Sequence, residues 1–476
     1  MFFERIYEKG LAQASYIVGC QATKEAIVID PKRDIDTYIE IADRENLHIT
    51  HIAETHIHAD FLSGSLELAD ETGANIYLSN EGGKEWQYQF GHIGLQDGDI
   101  IKVGNIKLEV MYTPGHTPEH ISFILTDLPA SSEPSMIFTG DFVFVGDVGR
   151  PDLLEKAAGY EGTMIAGAKQ MFQSLKKFKE LPDYLQVWPA HGAGSACGKS
   201  LGAVPSSTIG YEKHSNWALN INDEETFITT LLDGQPEPPK YFAMMKKLNK
   251  IGPRVLGSVP HPAKLSVAKF KDSIQNNYQI IDTRDKLSFA GGHIPGSLNI
   301  QDSNSFSTWA GWMLDYDRPV IIIARERRVD ALNRALIRIG IDNLEGYVSD
   351  IDKLESAGMN LEILNQISVN ELSQDISKYK VIDVRSYTEF EISSIPESIN
   401  IHAGQLEKWL SKISKEEDVV VYCASGDRSA IAASFLLQKG YKKVYNLSGG
   451  INTWVQSGYK IVQNKDLREY EPVKNI

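Results

Sequence analysis

Short runs of β-branched and aromatic residues alternate with helical patterns through the first half of the chain. The runs at 15–20 (SYIVGC), 25–30 (EAIVID), 105–112 (NIKLEVMY) and 135–141 (SMIFTGD) have the composition and length of buried strands. From Thr163 onward apolar residues recur at helical spacing, at positions 165, 168, 171, 172, 175 and 178. The alternation predicts a mixed α/β domain with one clear helix that begins near Thr163.

The C-terminal part of the chain contains an internal repeat. Tyr278–Arg284 (YQIIDTR) returns as Tyr379–Arg385 (YKVIDVR), and Ile294–Ile300 returns as Ile395–Ile401, each with an offset of 101 residues. In each copy an apolar run, VIIIA or VVVYC, then leads into a helical pattern, which in the second copy covers 428–440. Strands that alternate with helices in a repeated unit predict two copies of one parallel α/β domain.

Two loop-like stretches indicate where the first domain ends. Residues 235–240 (QPEPPK) are rich in proline, and residues 251–264 (IGPRVLGSVPHPAK) have the composition of a linker. A chain of 476 residues is also too long for a single hydrophobic core. We therefore predict three domains, at 1–256, 257–362 and 363–476.

Composition and charge narrow the function classes. Hydrophobic residues make up 42% and charged residues 23% of the chain, as in ordinary globular proteins. The formal net charge of −15 argues against a nucleic-acid partner, because phosphate binding needs a basic face. No apolar run approaches the roughly 20 residues of a membrane-spanning helix. The first ten residues, MFFERIYEKG, lack the apolar stretch of an export signal. We expect a cytoplasmic protein that binds neither nucleic acid nor membrane.

The segment 54–64 (ETHIHADFLSG) has a metal-binding pattern. His56 and His58 stand just past a strand, where alternate side chains point the same way and can converge on one ion. Asp60 follows, and Phe61 occupies the position at which binuclear hydrolases with an HxHxDH run have a further histidine. Because a phenyl ring cannot bind a metal, Phe61 predicts a site for one ion rather than two.

Three more segments offer a histidine or an aspartate near predicted strand ends. They are YTPGHTPEH with His116, MIFTGDFVF with Asp141 and VWPAHGAGS with His191. A lone histidine is more often a core or surface residue than a ligand. Four such segments together, each beside small turn residues, predict a metal centre.

Residues 1–252 resemble the metallo-β-lactamase superfamily. Within it, the motifs THIHADF, TPGHTPEH, TGDFVF and GRPDL are most similar to those of the persulfide dioxygenases, relatives of glyoxalase II. The resemblance implies an αββα sandwich with a metal between its two sheets. It also implies one Fe(II) per chain, held by His56, His116 and Asp141. The residues by themselves leave His58 open as an alternative to His56.

The chemistry of these ligands fits that implication. Two imidazoles and one carboxylate on one face leave positions free for water, O₂ and substrate sulfur, as in the facial triad of non-haem Fe(II) oxygenases. The other polar residues of the motifs are expected to orient ligands or water around the metal. They are His58, Asp60 and His191.

Two further residues near the predicted centre have two interpretations each. Arg150 either pairs with Asp152 within VGRPDL or binds the anionic end of a thiol substrate. Cys197, in a glycine-rich loop six residues after His191, is either a small buried core residue or a thiol that handles sulfur.

Cys423 lies at the end of the strand VVVYC and before a helix. The chain's three cysteines are too widely spaced for a disulfide framework or a zinc cage, so a functional cysteine here would act as a single thiolate. Backbone N–H groups and the helix dipole would stabilise a thiolate or persulfide at Cys423, and Arg428 would offer a positive charge to a sulfur oxyanion. The other loop residues are Ala424, Ser425, Gly426, Asp427 and Ser429.

The second repeat, over 365–470, resembles a rhodanese, a sulfurtransferase domain whose loop cysteine carries sulfane sulfur. The first repeat resembles the same fold but has Ala324 where the second has Cys423. Since alanine cannot take up sulfur, the first copy is predicted to be inactive and to serve packing or positioning. Its loop arginines, Arg325, Arg327 and Arg328, either form a solvated basic surface or steer anions.

The whole chain resembles a persulfide dioxygenase–rhodanese fusion, a family of sulfide detoxification. The resemblance implies that a low-molecular-weight thiol persulfide is oxidised by O₂ to sulfite and thiol. Cys423 would pass sulfur to sulfite to give thiosulfate, or would feed persulfide to the iron in the reverse direction. We also expect a homo-oligomer. One alternative is a zinc-dependent, glyoxalase II-like thioester hydrolase fused to a sulfurtransferase. Another is a non-catalytic metal domain on a sulfur carrier, which the complete ligand set disfavours.

Overall fold

The structure is a computed structural model that describes residues 1–158, 162–195, 197–198 and 201–463. The chain divides into two compact units. The first comprises Met1–Pro260 and Arg334–Ile341, and the second comprises His261–Asn333 and Asp342–Ile476. The predicted boundaries at 256 and 362 remain predictions, and residues 464–476 of the last predicted domain lie outside the described part.

The first unit contains two six-stranded sheets and a short hairpin. The strands of the first sheet lie in chain order, and those of the second sheet in the order β14-β13-β10-β9-β8-β7. The strands of the first sheet are β1 (Phe2–Glu8), β2 (Gln13–Gly19), β3 (Glu25–Ile29), β4 (His48–Ala53), β5 (Asn75–Ser79) and β6 (Ile93–Leu95). The later strands are β7 (Ile100–Val103), β8 (Ile106–Tyr112), β9 (Ile121–Asp127), β10 (Met136–Gly140), the hairpin strands β11 (Val143–Phe144) and β12 (Asp147–Val148), β13 (Gln186–Pro189) and β14 (Ser207–Thr208).

Helices connect and cover these strands. They are α1 (Asp36–Glu45), α2 (Ser65–Thr72), α3 (Leu153–Ala158), α4 (Thr163–Lys179), α5 (Ile209–Ser215), α6 (Glu224–Leu232) and α7 (Tyr241–Ile251). The helix predicted from Thr163 is therefore α4, and the proline-rich stretch 235–240 lies between α6 and α7.

The alternation of side chains along each strand produces the layers. In β2, Tyr16 and Val18 pack between the two sheets, whereas Ile17 packs with the core residues of α1 and α2. On the second sheet, Ile137 and Val187 pack with apolar residues of α4 and α6. Each such burial contributes about 1.5–3 kcal/mol. The unit is thus a four-layer αββα sandwich.

The second unit contains two five-stranded parallel sheets with the same strand order, β15-β19-β18-β16-β17 and β20-β24-β23-β21-β22. The first repeat has β15 (Ala263–Lys264), α8 (Val267–Gln275), β16 (Gln279–Asp282), α9 (Lys286–Gly291), β17 (Leu298–Asn299), α10 (Phe306–Met313), β18 (Val320–Ile323), α11 (Val329–Ile337), β19 (Leu344–Val348) and α12 (Ile351–Ser356). The second has β20 (Asn365–Ile367), α13 (Val369–Gln374), β21 (Lys380–Asp383), α14 (Tyr387–Ile392), β22 (Ile399–Asn400), α15 (Leu406–Trp409), β23 (Val419–Tyr422), α16 (Asp427–Gln438), β24 (Val444–Leu447) and α17 (Gly450–Gln456).

The repeated sequence motif builds the same ion-paired frame in both copies. Arg284 binds the carboxylate of Asp282 through Nε at 3.0 Å and Nη2 at 2.6 Å, and Arg385 binds Asp383 with the same two distances. Each arginine also donates to a carbonyl at the end of the next helix, at 2.7 Å in the first copy and 2.6 Å in the second. The motif therefore fixes the strand-to-helix turn of the scaffold rather than its reactive group.

None of the helices in the described part of the chain is both long enough and apolar enough to span a bilayer.

Candidate functional site

Three of the predicted metal ligands converge at one edge of the sandwich. His56 follows β4, His116 follows β8 and Asp141 directly follows β10. The Nε2 atoms of His56 and His116 lie 3.9 Å and 3.5 Å from Oδ2 of Asp141. Their ligand atoms all lie within 4.8 Å of one another, and the side chains are buried. The geometry would let these side chains share one ion.

Neighbouring groups turn both imidazoles toward this point. Thr55 Oγ1 donates to Asp30, so it accepts the Nδ1–H of His56 at 2.9 Å. The Nδ1–H of His116 donates to the carbonyl oxygen of Arg150 at 2.9 Å. Both rings thereby keep an Nε2 lone pair for a ligand. His56 Nε2 and both carboxylate oxygens of Asp141 are buried and make no hydrogen bond of acceptable geometry within the described residues. Buried polar atoms without partners are costly, so the site fits a bound cation.

The structure distinguishes His56 from His58. His58 Nε2 binds the buried carboxylate of Asp30 at 3.0 Å, and its ring stands 4.4 Å from the ring of Phe61. Burial lowers the pKa of His58, but the charge and hydrogen bond of Asp30 outweigh it and raise this pKa to about 9. His58 thus lies outside the cluster of His56, although its Nδ1 is buried without a hydrogen-bond partner in the described chain.

A second donor group lies beside the first. Asp60, His191 and Cys197 bring their ligand atoms within 4.8 Å of one another. His191 Nε2 lies 3.3 Å from Oδ2 of Asp60 and 3.3 Å from Oδ1 of Asp141, so it links the two groups. Burial, Asp141 and Asp60 raise the pKa of the Cys197 thiol well above its usual value. Asp60 and His191 were predicted to orient ligands or water and Cys197 to be a core residue or a sulfur-handling thiol, so this donor group was not predicted.

Arg150 forms a buried ion pair with Asp152, which was one of its two predicted roles. Its Nε and Nη2 each donate to Asp152 at 2.6 Å, and its side chain is fully buried. Its backbone N–H donates to the carbonyl of Cys197 at 3.3 Å. With the carbonyl bond to His116, this segment connects the two donor groups through the backbone.

The Cys423 loop supplies donors to a buried sulfur. The N–H of Gly426 donates to Cys423 Sγ at 3.1 Å, and the hydroxyl of Ser429 lies 3.5 Å from the same sulfur. That hydroxyl donates to Asn446 Oδ1 at 2.6 Å, which fixes its position. Gly426 has φ +98°, a left-handed conformation that favours glycine. The predicted helix after the loop is α16.

Arg428 does not present a free charge to the loop. Its Nη1 and Nη2 donate to the two carboxylate oxygens of Glu389 at 2.6 Å and 2.8 Å. Burial raises the pKa of Glu389, but the bonds from Arg428 and Ser386 outweigh it and hold this pKa at about 2. Arg428 and Glu389 are therefore an ion pair beside the sulfur.

The corresponding loop of the first repeat has different contacts. Ala324 is buried, and residues Glu326–Arg328 form a short 3-10 helix in place of the cysteine loop. Arg328 pairs with Asp302 at 2.7 Å and 2.8 Å. The side chains of Arg325 and Arg327 are exposed, as their solvated interpretation expects.

Comparison with known proteins assigns both units. The family model of the metallo-beta-lactamase superfamily matches residues 9–191, and that of the rhodanese-like domain matches residues 266–351 and 368–457. The chain is 48% identical to the solved structure of a metallo-beta-lactamase from Staphylococcus aureus subsp. aureus COL, with a TM-score of 0.69 over 73% of this chain and 99% of that one. The chain belongs to the metallo-beta-lactamase superfamily.

Two curated relatives cover smaller parts of this superfamily member. It is 28% identical to the human mitochondrial persulfide dioxygenase ETHE1 over 232 residues, which are 47% of this chain and 78% of that protein. It is 26% identical over 282 residues to the beta-lactamase hydrolase-like protein of Xylella fastidiosa (strain Temecula1), 52% of this chain. The chain spans 58% of the length of that Xylella protein. The predicted fold class, a metallo-β-lactamase sandwich followed by two rhodanese-like domains, is confirmed.

Several residues of the superfamily member's site were missed in the sequence. His120 Nε2 accepts the backbone N–H of Asp141 at 3.1 Å and thus positions that ligand. Its presence in TPGHTPEH, four residues after His116, was a usable signal. Asp30, at the end of EAIVID, is a second missed residue, and it binds His58. Lys246 of α7 is buried with its ammonium 4.4 Å from the ring of Trp86, and burial lowers its pKa to about 8. No motif in the sequence pointed to Lys246.

Proposed function

We propose that the chain is an iron-dependent persulfide dioxygenase joined to a sulfurtransferase. The overall reaction is RSSH + O₂ + H₂O giving RSH, sulfite and two protons. At Cys423, sulfite then attacks the outer sulfur of the Cys423 persulfide, the S–S bond breaks, and thiosulfate and the free Cys423 thiolate result.

One observation carries the proposal: two imidazoles and one carboxylate converge on a buried point. His56, His116 and Asp141 supply three ligands on one face, and Phe61 fills the space next to His58 with a ring that cannot bind a metal. An iron ion held there would supply open coordination positions for O₂ and for persulfide sulfur.

The residues around the ligands support this arrangement. Thr55 and the carbonyl of Arg150 fix the two ligand imidazoles in the tautomer that binds metal. His120 holds the backbone of Asp141 in place. The ligand atoms of Cys197, His191 and Asp60 lie within 4.8 Å of one another, which supports a sulfur-handling role for the Cys197 thiol.

The alternative, a zinc-dependent thioester hydrolase, is favoured by a different observation. Asp60, His191 and Cys197 form a second possible donor group, and Asp141 lies close enough to share with it. Many metal-assisted hydrolases use a two-metal site. The number and kind of bound metal ions therefore distinguish the two proposals.

The first experiment combines metal analysis with oxygen uptake. Protein purified without oxygen should hold about one iron per chain, since His56, His116 and Asp141 form a three-ligand set of the facial-triad type. A panel of small persulfides should support oxygen uptake with sulfite as product. His116→Ala should lose both iron and oxygen uptake, whereas His214→Ala, a change at an exposed histidine, should lose neither. Two zinc ions, thioester hydrolysis and no oxygen use would establish the hydrolase instead.

A second experiment tests Phe61. Phe61→His restores a ligand type beside His58 and is expected to allow a second metal and to reduce oxygenase activity. Phe61→Leu keeps an apolar side chain and controls for the lost ring packing. An unchanged iron count with full activity in Phe61→His would show that Phe61 does not keep the site mononuclear.

A further inference from the structure

Lys286 begins α9 of the first rhodanese-like repeat, and its ammonium group contacts the Cys423 loop of the second. Its Nζ donates to the carbonyl oxygen of Ser425 at 2.8 Å and to Oδ1 of Asp427 at 2.8 Å. Oδ2 of Asp427 accepts the hydroxyl of Ser425 at 2.6 Å. The repeat that lacks a cysteine thus holds the loop of the repeat that has one.

The carbonyl that Lys286 binds belongs to the peptide group whose N–H reaches the sulfur. In a trans peptide group the C=O and the N–H point in opposite directions within one plane. The other end of the Ser425–Gly426 peptide is the Gly426 N–H, which donates to Cys423 Sγ at 3.1 Å. A bond that fixes the Ser425 carbonyl therefore also fixes the direction of the Gly426 N–H.

The Ser425–Gly426 peptide adjoins a residue with high backbone freedom. Gly426 has φ +98°, and glycine rotates more freely than any other residue. A rotated peptide would turn its carbonyl oxygen toward the sulfur and repel a negative charge there. The bond from Lys286 opposes that rotation.

Contacts between the two repeats place Lys286 against the loop. Gln438 Nε2 on α16 donates to the carbonyl of Gly296 at 2.7 Å. The N–H of Asn299 donates to Oγ of Ser434, also on α16, at 3.0 Å. Because α16 follows the loop directly, these bonds hold the first repeat in register with the sulfur site.

Two arginines of the second repeat, like Lys286, have carboxylate partners. Arg428 is paired with Glu389, and Arg385 is paired with Asp383. Lys286 differs from them because one of its bonds goes to the backbone of the loop.

We propose that Lys286 is a positioning residue for sulfur transfer: it holds the Ser425–Gly426 peptide so that the Gly426 N–H faces the sulfur of Cys423. The proposal rests on the proposed sulfurtransferase function. In the direction of the thiosulfate:cyanide assay, which reverses thiosulfate formation, the Cys423 thiolate attacks the outer sulfur of thiosulfate, and the S–S bond of thiosulfate breaks. Sulfite leaves with the bonding pair, and Cys423 becomes a persulfide anion. The first repeat then contributes to the chemistry although it carries no sulfur.

The test compares the full-length wild type with Lys286→Met, Lys286→Arg and Lys264→Met. Lys264 is the matched control, because it is an exposed lysine of the same repeat that pairs with Glu326 at 2.6 Å. Two quantities are measured: the rate of Cys423 alkylation by iodoacetamide as a function of pH, and kcat/KM for thiosulfate:cyanide sulfurtransfer.

Lys286→Met is expected to slow alkylation near neutral pH by about three- to tenfold and to move the pH profile upward, because one donor to a charged sulfur is loosened. Sulfurtransfer should fall by a similar factor. Lys286→Arg should keep most of both rates, and Lys264→Met should match the wild type. General loosening of the fold would instead expose Cys423 and speed its alkylation.

A Lys286→Met profile that coincides with that of the wild type, or lies at lower pH, would overturn the proposal. The alkylation readout does not depend on sulfurtransfer. If the wild type transferred no sulfur, the proposed function would fail, but the comparison of alkylation profiles would still decide whether Lys286 positions the peptide.

Discussion

In the first rhodanese-like repeat Ala324 follows the central strand β18, and in the second Cys423 follows the central strand β23. Both strands pair in parallel with their neighbours in the same order, and both repeats contain the Asp–Arg frame at the end of the neighbouring strand, β16 or β21. The scaffold is thus the same up to the residue after the strand. The chemistry depends on what comes next.

The two loops differ in backbone as well as in side chain. In the second repeat the left-handed Gly426 turns an N–H toward the sulfur before α16 begins. In the first repeat a 3-10 helix occupies this place, and Arg328 pairs with Asp302. The first repeat therefore lacks both the cysteine and the left-handed glycine of the second.

The largest expected effect is the loss of the thiol. Cys423→Ser should reduce thiosulfate:cyanide sulfurtransfer by at least about a thousandfold, because a hydroxyl cannot hold sulfane sulfur. Ala324→Ser should leave the rate unchanged. Sulfurtransfer assays on purified variants measure both.

A variant with a cysteine in the first repeat tests whether a thiol alone is sufficient for sulfur transfer. Ala324→Cys, made together with Cys423→Ser, supplies a thiol without the loop and should not restore transfer. Restored activity would show that a thiol at a strand end is sufficient.

A smaller effect is expected from the loop backbone. Gly426→Ala places a Cβ on a residue with φ +98°, which costs about 1 kcal/mol of stability and shifts the N–H away from the sulfur. Sulfurtransfer should fall by about tenfold if one donor to a charged sulfur is lost. Gly440→Ala, at φ +88° beyond α16, controls for the strain and should lose stability but keep activity. Equal activity losses in the two variants would assign the effect to folding.

The smallest expected effect concerns the ion pair beside the sulfur. The pKa of Glu389 is lowered from 4.5 to about 2, so its pairing with Arg428 stabilises the fold above pH 4.5 and is lost as the pH falls through about 2. Because the Glu389 side chain is 35% exposed, the contribution is discounted to about 1 kcal/mol. The stability difference between wild type and Glu389→Gln, from urea unfolding, should shrink between pH 4.5 and 2. A difference that grows toward low pH would contradict the assignment.

The sequence was informative wherever a motif lies at the end of one strand. The duplicated YQIIDTR and YKVIDVR segments predicted two parallel domains because each motif builds a turn from residues close in sequence. The segments with His56, His116 and Asp141 could likewise be predicted to converge, since each lies at or close to the end of a predicted strand.

The remainder depends on contacts between segments distant in sequence. Asp30 engages His58 from the preceding strand, and Glu389 neutralises Arg428 from 39 residues away. Lys286 reaches Ser425 across the packing of two repeats, 139 residues apart. A local pattern does not encode which of several possible partners a charged side chain will meet, so these pairings could not be read from the sequence.

The most direct test of the account gives wild type and Cys423→Ser the same small thiol persulfide under oxygen and follows oxygen uptake and sulfur products together. If the iron site oxidises persulfide and Cys423 only transfers sulfur, oxygen uptake should persist in the variant. The product should then shift from thiosulfate to free sulfite. Collapse of oxygen uptake in Cys423→Ser, even with abundant persulfide, would contradict independent sites and make Cys423 the obligatory entry point for sulfur.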